Sequence, residues 1–560
     1  MTAGQSEAIG RAERPRSTSR TARNARHILC VFPRYAPSFG TFQHAFPLIP
    51  GVRAFMPPQG LLVIAAYLPK TWHVRFVDEN VAPATDADLD WADAVLTSGM
   101  HVQRRFIDDL NARAHRRGRL TVLGGPSVSA CPDYYPDVDI LHVGELGDAT
   151  DALIDRLDAS VARPSRQIVL TTVERVPLDA FPAPAYDRLD IRRYFMGSIQ
   201  FSSGCPFRCE FCDIPALYGR NPRLKTPAQI TGELDAMVRA GGFDAVYFVD
   251  DNFIANPRAA RELLPHLIRW QKANGYRLRF ACEATLNMAQ MPELLALMRE
   301  AAFYAVFVGI ETPEPHALEG IRKQQNLRLP ILDAVATFNS YGMEVVSGII
   351  MGLDTDGPET GRAIRSFIDI SNIPLLTINL LYALPRTPLH ERLAGEGRLL
   401  SDDEAAGRVS NVRFRLPYDD VVRQWYDTVT DAYRPDKLLA RFRHQTRTTY
   451  ARRLAVPRKP SWAQIRRGLG VLARIFWHCG MRRGWRRAFW RMALPLLRRG
   501  RIEEMVSIAT VAHHLVTFVG EIRAGKHEAC FYADPSRSTM DARRSLRRGC
   551  DTAPTLQPAE

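Results

Sequence analysis

The sequence predicts an α/β protein of three successive units: a doubly wound, Rossmann-like parallel sheet, a partial (β/α) barrel, and a mainly helical, basic C-terminal region. Two observations carry this reading. Short runs rich in β-branched and aromatic residues alternate with helical stretches twice over, on either side of a Pro-rich segment, and such alternation builds parallel sheets covered by helices. Charge then changes abruptly: of the 74 Lys and Arg in 560 residues, nineteen lie between Lys437 and Ile502, where there is no Asp or Glu. The net charge of +14 therefore belongs to this stretch, and the remainder is mildly acidic.

Residues 1–26 are Arg- and Ser-rich without a hydrophobic centre, which reads as a disordered basic tail and not a signal peptide. The first α/β unit spans 27–160. Strands are expected at His27–Phe32, His73–Asp78, Ala92–Thr97, Leu120–Leu123 and Asp139–Val143, with helices such as Gln59–Tyr67 and Gln103–Arg116 between them. Ligands of open parallel sheets bind beyond the carboxyl ends of the strands. Those ends carry Asp78-Glu79-Asn80, Ser98-Gly99-Met100, Gly124-Gly125-Pro126-Ser127 and Gly144-Glu145. Small residues there admit a bulky ligand to the backbone, although Gly-Gly-Pro equally makes a plain tight turn.

Pro177, Pro182 and Pro184 mark 161–193 as a connector, and the second unit spans 194–400. Its expected strands are Ala245–Val249, Arg277–Cys282, Ala305–Ile310, Glu344–Met351 and Thr377–Ala383, separated by helices such as Pro227–Arg239, Arg258–Ala273 and Met291–Glu300. In barrels of this kind the chemistry lies at the carboxyl ends of the strands. The polar and small residues there are Asp250-Asp251-Asn252, Glu283, Gly309-Ile310-Glu311 and Gly348-Ile349-Ile350-Met351-Gly352. Asp and Asn are also favoured helix caps at such exits.

Ser202 to Asp213 holds three of the nine cysteines, Cys205, Cys209 and Cys212, spaced C-x3-C-x2-C. Gly204 and Pro206 make this a loop, and a loop can wrap three thiolates around one inorganic centre. Thiolates are the usual ligands of iron–sulfur clusters, and a four-iron cluster wants four. With three supplied locally, one iron stays open to an exogenous ligand, as open positions do in catalytic metal sites. A structural zinc site would need a second ligand pair, and none lies nearby. Cys282 reads as a buried small side chain.

The triad with Phe211 before its last cysteine resembles the signature of the radical S-adenosylmethionine (SAM) superfamily. The resemblance implies a [4Fe-4S] cluster on Cys205, Cys209 and Cys212, with SAM on the open iron and cleaved to a 5'-deoxyadenosyl radical. It implies further that Asp250, Asp251 and Asn252 hold the methionyl ammonium, that Glu283 and Glu311 take ribose hydroxyls or the same ammonium, and that Gly309, Gly348 and Gly352 pack near SAM. An α/β unit placed directly before the triad resembles the cobalamin-binding domain of the B12-dependent group, implying cobalamin contacts at Ser98, Gly99, Gly124, Gly125, Ser127, Gly144 and Glu145. The D-x-H-x-x-G motif that gives cobalt a histidine elsewhere is absent, since Asp139 and His142 have the wrong spacing. The lower ligand stays open.

Ser-Phe-Gly-Thr-Phe at 38–42, Phe-Met-Pro-Pro-Gln-Gly at 55–60, Ser-Gly-Met-His at 98–101, Val-Asp-Asp-Asn-Phe at 249–253, Cys-Glu-Ala-Thr-Leu-Asn at 282–287 and Gly-Leu-Asp-Thr-Asp at 352–356 together resemble the hopanoid-methylase subgroup. That implies a methyltransferase acting on an unactivated sp3 carbon, C-2 of a hopanoid lipid, through methylcobalamin regenerated by a second SAM. A flavodoxin or ferredoxin would supply electrons. Another methylation, cyclisation or rearrangement within the B12 group is the alternative, and an iron–sulfur redox sensor the non-enzymatic one. A methylthiotransferase would need a second cysteine trio, which the N-terminal unit lacks.

Residues 401–533 read as helical, and 534–560 as a disordered tail. Ser461 to Arg501 interleaves Trp462, Phe476, Trp477, Trp485, Phe489 and Trp490 with eleven arginines. Such a segment either lies at a bilayer interface or forms surface helices with aromatic inner faces. Nucleic acid is disfavoured because no binding motif accompanies the charge. No uninterrupted apolar run approaches the roughly 18–20 residues of a membrane span, and the cysteines outside the triad are scattered singly. Both point to a reducing, cytoplasmic setting, with peripheral contact at the inner membrane through the basic segment.

Overall fold

Runs such as His27-Ile-Leu-Cys-Val-Phe32 are apolar at consecutive positions because a parallel strand is buried on both faces. The computed structural model, which describes residues 24–405, 408–455 and 462–526, shows how. Strands β1 (His27–Phe32), β2 (His73–Asp78), β3 (Ala94–Ser98), β4 (Leu120–Gly124), β5 (Ile140–Val143) and β6 (Ile168–Thr171) form a parallel sheet ordered β2-β1-β3-β4-β5-β6. Ile28, Cys30, Leu96, Val122 and Ile140 face helices Gln59–Tyr67 and Asp148–Ala159. Leu29, Val31 and Val95 face Leu89 and Leu110, and Leu123 and Leu141 face Ile107, on helices of the opposite side. The sheet is doubly wound, and its order reverses between β1 and β3, where such sheets open a crevice.

In the first sheet, one strand was hidden from the sequence reading. β6 falls inside the 161–193 stretch expected to be a bare connector, and it pairs with β5 from Ile140↔Ile168 to Val143↔Thr171. It is an edge strand with alternating partial exposure, so it lacks the continuous apolar run that marks its neighbours. The readings for 1–23 and 534–560 lie outside the described residues.

The second sheet comprises β7 (Gly197–Ile199), β10 (Ala245–Phe248), β11 (Arg279–Ala284), β12 (Phe303–Glu311), β13 (Glu344–Met351) and β14 (Leu375–Leu380), all parallel, ordered β14-β13-β12-β11-β10-β7. Between β7 and β10 a short antiparallel pair, β8 (Ser202–Ser203) and β9 (Arg223–Leu224), brackets the cysteine loop. Helices Pro227–Arg239, Pro257–Ala273, Pro292–Glu300, Ile331–Ser340 and Thr360–Ser371 complete the βα repeats of a partial barrel.

The barrel's seam, between β7 and β14, is covered by segments remote in sequence. Residues 54–59 lie along β7: Ala54 bridges to Tyr194, and Gln59 Nε2 donates to Ser198 Oγ (3.1 Å) and Tyr186 Oη (2.6 Å). On the other side, Leu376 N donates to Tyr433 Oη (2.9 Å), and the Tyr433 ring lies 5.4 Å from that of Phe39. Helix Ile502–Arg523 closes the arrangement, with His514 Nε2 donating to Phe39 O (3.2 Å). This 22-residue helix is, among the described residues, the one long and apolar enough to cross a membrane, and 61% of its most apolar window is buried within the molecule. Counting uninterrupted apolar runs passed over it because His513 and His514 break the run; both are buried.

Candidate active site

The cysteine loop is built by its backbone. Gly204 adopts φ +98°, and a Cβ there would meet Gly219 O at 2.9 Å, so only glycine fits this turn. Cys205 N donates to Gly219 O (3.2 Å), and Cys212 N to Cys209 O (3.2 Å). Burial raises the Cys205 and Cys212 thiols above their ordinary range, so bound iron would have to draw off their protons. Among the described residues no three His, Cys, Asp or Glu groups converge as single-ion ligands do. A cluster takes each thiolate on a different iron, which suits three thiols spread along one loop.

The carboxylates at the β10 exit hold the strand that enters this loop. Asp250 Oδ1 accepts from Phe201 N (2.8 Å) and Ser202 N, and Asp251 Oδ2 accepts from Gly204 N (2.7 Å). Asn252 Oδ1 caps its own turn by accepting from Ile254 N (3.2 Å), and its Nδ2 donates to Thr285 Oγ1 (3.4 Å). Asp250 Oδ2 is buried without a partner. Burial pushes Asp250 up to about 7, Asp251 to about 6 and, on β11, Glu283 to about 8, and in each case a neighbouring carboxylate adds to the rise. Asp251 raises both Asp250 and Glu283, and is itself raised by Glu145 and Asp213; acids crowded in this way suit a pocket that receives a cation.

On β12, Glu311 takes φ +66° at a register shift and pairs with buried Lys323 (Nζ–Oε1 2.5 Å). Gly309 makes room for that pair: a Cβ there would lie 2.3 Å from Glu311 Oε1 and 2.5 Å from Lys323 Nζ. Gly348 lies on β13, where a Cβ would come 3.6 Å from Glu311 Oε2. Gly352, beyond the end of β13, has φ +91° with the Phe414 ring against it. Thus Cys205, Cys209, Cys212, Asp250, Asp251, Asn252, Glu283, Gly309, Glu311, Gly348 and Gly352 gather at one end of the partial barrel.

The other expected residues line the carboxyl ends of β3, β4 and β5. A Cβ on Gly125 (φ +94°) would strike Ser98 Oγ at 2.5 Å and Gly99 N at 3.1 Å. Ser127 Oγ bonds to His101 Nδ1 (2.9 Å) and Tyr135 Oη (2.5 Å), leaving His101 Nε2 buried without a partner. Gly144 N donates to Ser129 Oγ (2.9 Å). Glu145 stands with them at the end of β5. Its carboxylate is committed to Arg223 (2.6 Å) and Arg175 (2.9 Å), and Arg223 also reaches Ser203 Oγ (2.9 Å), two residues before Cys205.

A family model for the radical SAM superfamily matches residues 199–368, and one for a domain of unknown function matches 387–528. A hopanoid C-2 methylase of Rhodopseudomonas palustris (strain TIE-1) is 57% identical over 515 residues, covering 92% of this chain and 97% of that protein. The chain belongs to its family. An uncharacterised methyltransferase of Synechocystis is 35% identical over 480 residues, 84% of this chain and 87% of the relative. Among solved structures, the cobalamin-dependent SAM radical enzyme OxsB, with aqua-cobalamin and SAM bound, superposes with a TM-score of 0.55 at 13% identity over 94% of this chain and 84% of that one, a likeness of fold.

For a member of this radical SAM methylase family, several residues around the triad escaped the sequence reading. Glu210, between Cys209 and Phe211, is buried and receives both arms of Arg392 (Nε–Oε1 2.6 Å, Nη2–Oε2 3.1 Å). Its backbone is tied as well, with Glu210 N donating to Ile321 O (2.9 Å) and Leu389 N to Glu210 O (3.0 Å). Buried Gln325 donates from Nε2 to Cys209 Sγ (3.3 Å). The one local signal was a glutamate flanked by a cysteine and an aromatic, a charge that a buried loop must pair.

Proposed function

We propose that this chain is a cobalamin-dependent radical SAM methyltransferase that methylates an unactivated sp3 carbon of a hydrophobic substrate, C-2 of a hopanoid lipid. The observation that carries the reading is the end-to-end relationship to a methylase of that specificity, joined to a three-thiol loop beside acidic side chains among which Asp250 keeps one buried carboxylate oxygen without a partner. Cys205, Cys209 and Cys212 would hold a [4Fe-4S] cluster. Asp250 Oδ2 and Glu283 would take the methionyl ammonium of SAM, a charge-assisted contact, while Gly348 and Gly352 would bring backbone close to its adenosine. Ser98, Gly99, Gly124, Gly125, Ser127 and Gly144 would cradle cobalamin. When bound, these groups supply a carbon-centred radical and a transferable methyl group. The protein's part is to fix their relative positions and exclude water: Asp250 and Asp251 lock the loop entrance, and the Glu145–Arg223–Ser203 contacts tie the cobalamin side to it.

The test is the full chain, anaerobically reconstituted with iron, sulfide, cobalamin, SAM and a reductant, given a desmethyl hopanoid. Equal amounts of 5'-deoxyadenosine, S-adenosylhomocysteine and methylated lipid are expected. Deoxyadenosine without methylated lipid refutes the substrate; no deoxyadenosine from a protein holding its cluster refutes the reaction.

The same reading includes peripheral binding to an anionic bilayer surface. Trp462, Ile465, Leu469, Trp477 and Met481 are exposed along Trp462–Ile475 and the turn of π-helix that follows, among exposed Arg466, Arg467, Arg474 and Arg482. Trp485 and Phe489 instead face the core. Apolar anchors beside cations are the makings of interfacial attachment. Co-sedimentation with phosphatidylglycerol-containing vesicles, absent with phosphatidylcholine alone and weakened by Trp462→Ser with Trp477→Ser, supports it; equal recovery with both lipids refutes it. A small acidic flavodoxin or ferredoxin is the electron donor proposed.

A further inference from the structure

We infer that Gln325 sets the reduction potential of the iron–sulfur centre, acting as a hydrogen-bond donor to the Cys209 sulfur. The inference rests on the assignment of Cys209 as a cluster ligand and says what surrounds that ligand.

Gln325 is 3% exposed. Burying a primary amide is unfavourable unless its polar atoms find good partners. Its Nε2 points at Cys209 Sγ, 3.3 Å away. A neutral thiol is a weak acceptor and gives little return for that burial. A thiolate bonded to iron carries charge and makes the contact charge-assisted, so the amide is matched to the ligated sulfur.

The placement is held by neighbours on every side. Gln325 lies in the short 3-10 helix Gln324–Asn326, which follows the turn at Ile321. Ile321 O accepts from Glu210 N (2.9 Å), next to Cys209 in sequence. Lys323 is pinned by Glu311 (2.5 Å), and its Nζ stands 5.5 Å from the centre of the Phe211 ring. Asn326 Nδ2 donates to Gly309 O (3.0 Å) and Ile310 O (3.2 Å), fixing the helix to β12. The backbone that carries the amide is therefore held in place beside Cys209.

Reduction adds negative charge to a cluster and its sulfurs, so a donor aimed at a sulfur stabilises the reduced form more than the oxidised one. Hydrogen bonds to the sulfurs, net charge and exposure are the means by which proteins set these potentials. Removing the donor should make the centre harder to reduce.

The experiment compares the reconstituted full chain with Gln325→Met, which keeps the volume without the donor, and Gln325→Leu, a second side chain without a donor. Iron and sulfide per chain are measured first, then the reduced fraction by electron paramagnetic resonance in a potentiometric titration without SAM. At the wild-type midpoint the reduced-to-oxidised ratio should fall about threefold to tenfold in Gln325→Met, tenfold being 59 mV for a one-electron couple. It should fall by a similar factor in Gln325→Leu. A ratio unchanged or raised in a fully loaded variant overturns the inference. If Gln325→Met loses its cluster, Gln325→Leu decides alone, and should both lose it, Gln325 is structural and the inference falls. A wild-type chain that takes up no four-iron cluster overturns the site assignment instead.

Discussion

Replacing Arg392 by leucine should unfasten the cysteine loop without touching a cysteine. Glu210 is buried between Cys209 and Phe211, and Arg392 meets its carboxylate with two hydrogen bonds while also pairing with Asp354 (2.7 Å) and Glu396 (3.0 Å). Removing one partner of a buried pair costs about 3–5 kcal/mol because the other charge is stranded. The Arg392 side chain is 32% exposed, so solvent already screens part of the interaction, and about 2–3 kcal/mol is the reasonable loss. At about 1.4 kcal/mol per factor of ten, local opening of the loop becomes roughly 30- to 150-fold more frequent. The amides of Glu210 and Leu389, which donate to Ile321 O and Glu210 O, report that opening directly. Hydrogen exchange on the metal-free protein should show them accelerated by this factor in Arg392→Leu, with distant amides such as those of β4 unchanged. Arg392→Lys keeps the charge but loses the two-armed geometry and should fall between. Iron uptake on reconstitution should follow the same order. Exchange within about threefold of wild type in Arg392→Leu would refute the reasoning, since it would mean that the pair does not hold the loop.

Three further outcomes follow from the geometry. Asp250 and Glu283 have folded-state values raised by burial to about 7 and 8, so the folded chain binds more protons than the unfolded one from about pH 4 upward, and stability declines as pH rises through 7 and 8; urea midpoints of the metal-free chain should be lower at pH 8.5 than at 6.0, and Asp250→Asn, which keeps the acceptor for Phe201 and Ser202, should flatten the slope. Gly352→Ala puts a Cβ at φ +91°, 2.5 Å from the Phe414 ring, and should lower stability by more than about 1 kcal/mol and weaken SAM binding in calorimetry, whereas Gly348→Ala, whose nearest neighbour would be 3.3 Å away, should be milder. Lys225 and Glu233 form a buried pair at 2.6 Å where the chain leaves β9, so Lys225→Met should cost about 3–5 kcal/mol, while Lys225→Met with Glu233→Leu should recover to within about 1 kcal/mol of wild type by thermal unfolding.

What the sequence revealed follows from how far apart the interacting residues lie. The α/β class was legible because strand and helix periods are local, and Gln59–Tyr67 and Glu344–Met351 match the expected bounds to the residue. β6 was not, since an edge strand of four residues after a proline-containing stretch has neither length nor continuous apolarity. The triad was legible because all three thiols share one loop. Its supports were not: Arg392 is 182 residues from Glu210, and Gln325 116 residues from Cys209. No local pattern encodes such pairings. Glu145 illustrates the converse, a residue placed by motif at the right strand end whose side chain is turned to Arg223 and Arg175 by a contact between units. Trp485 and Phe489, grouped with the interfacial aromatics by composition, face inward because spacing and not content selects the buried side of a helix.

The seam between β7 and β14 has a consequence for biosynthesis. Residues 38–59 leave the ribosome ahead of the barrel strands, and β14 ends at Leu380, yet His514, which fastens Phe39, emerges about 130 residues later. At roughly 5–20 residues per second that interval is on the order of 10 s. Through it, the nascent barrel keeps exposed the apolar surface later covered by helix Ile502–Arg523, and until Tyr433 emerges the edge of β14 is unpartnered as well. Rapid expression should therefore favour aggregation of chains that are full-length but unsealed.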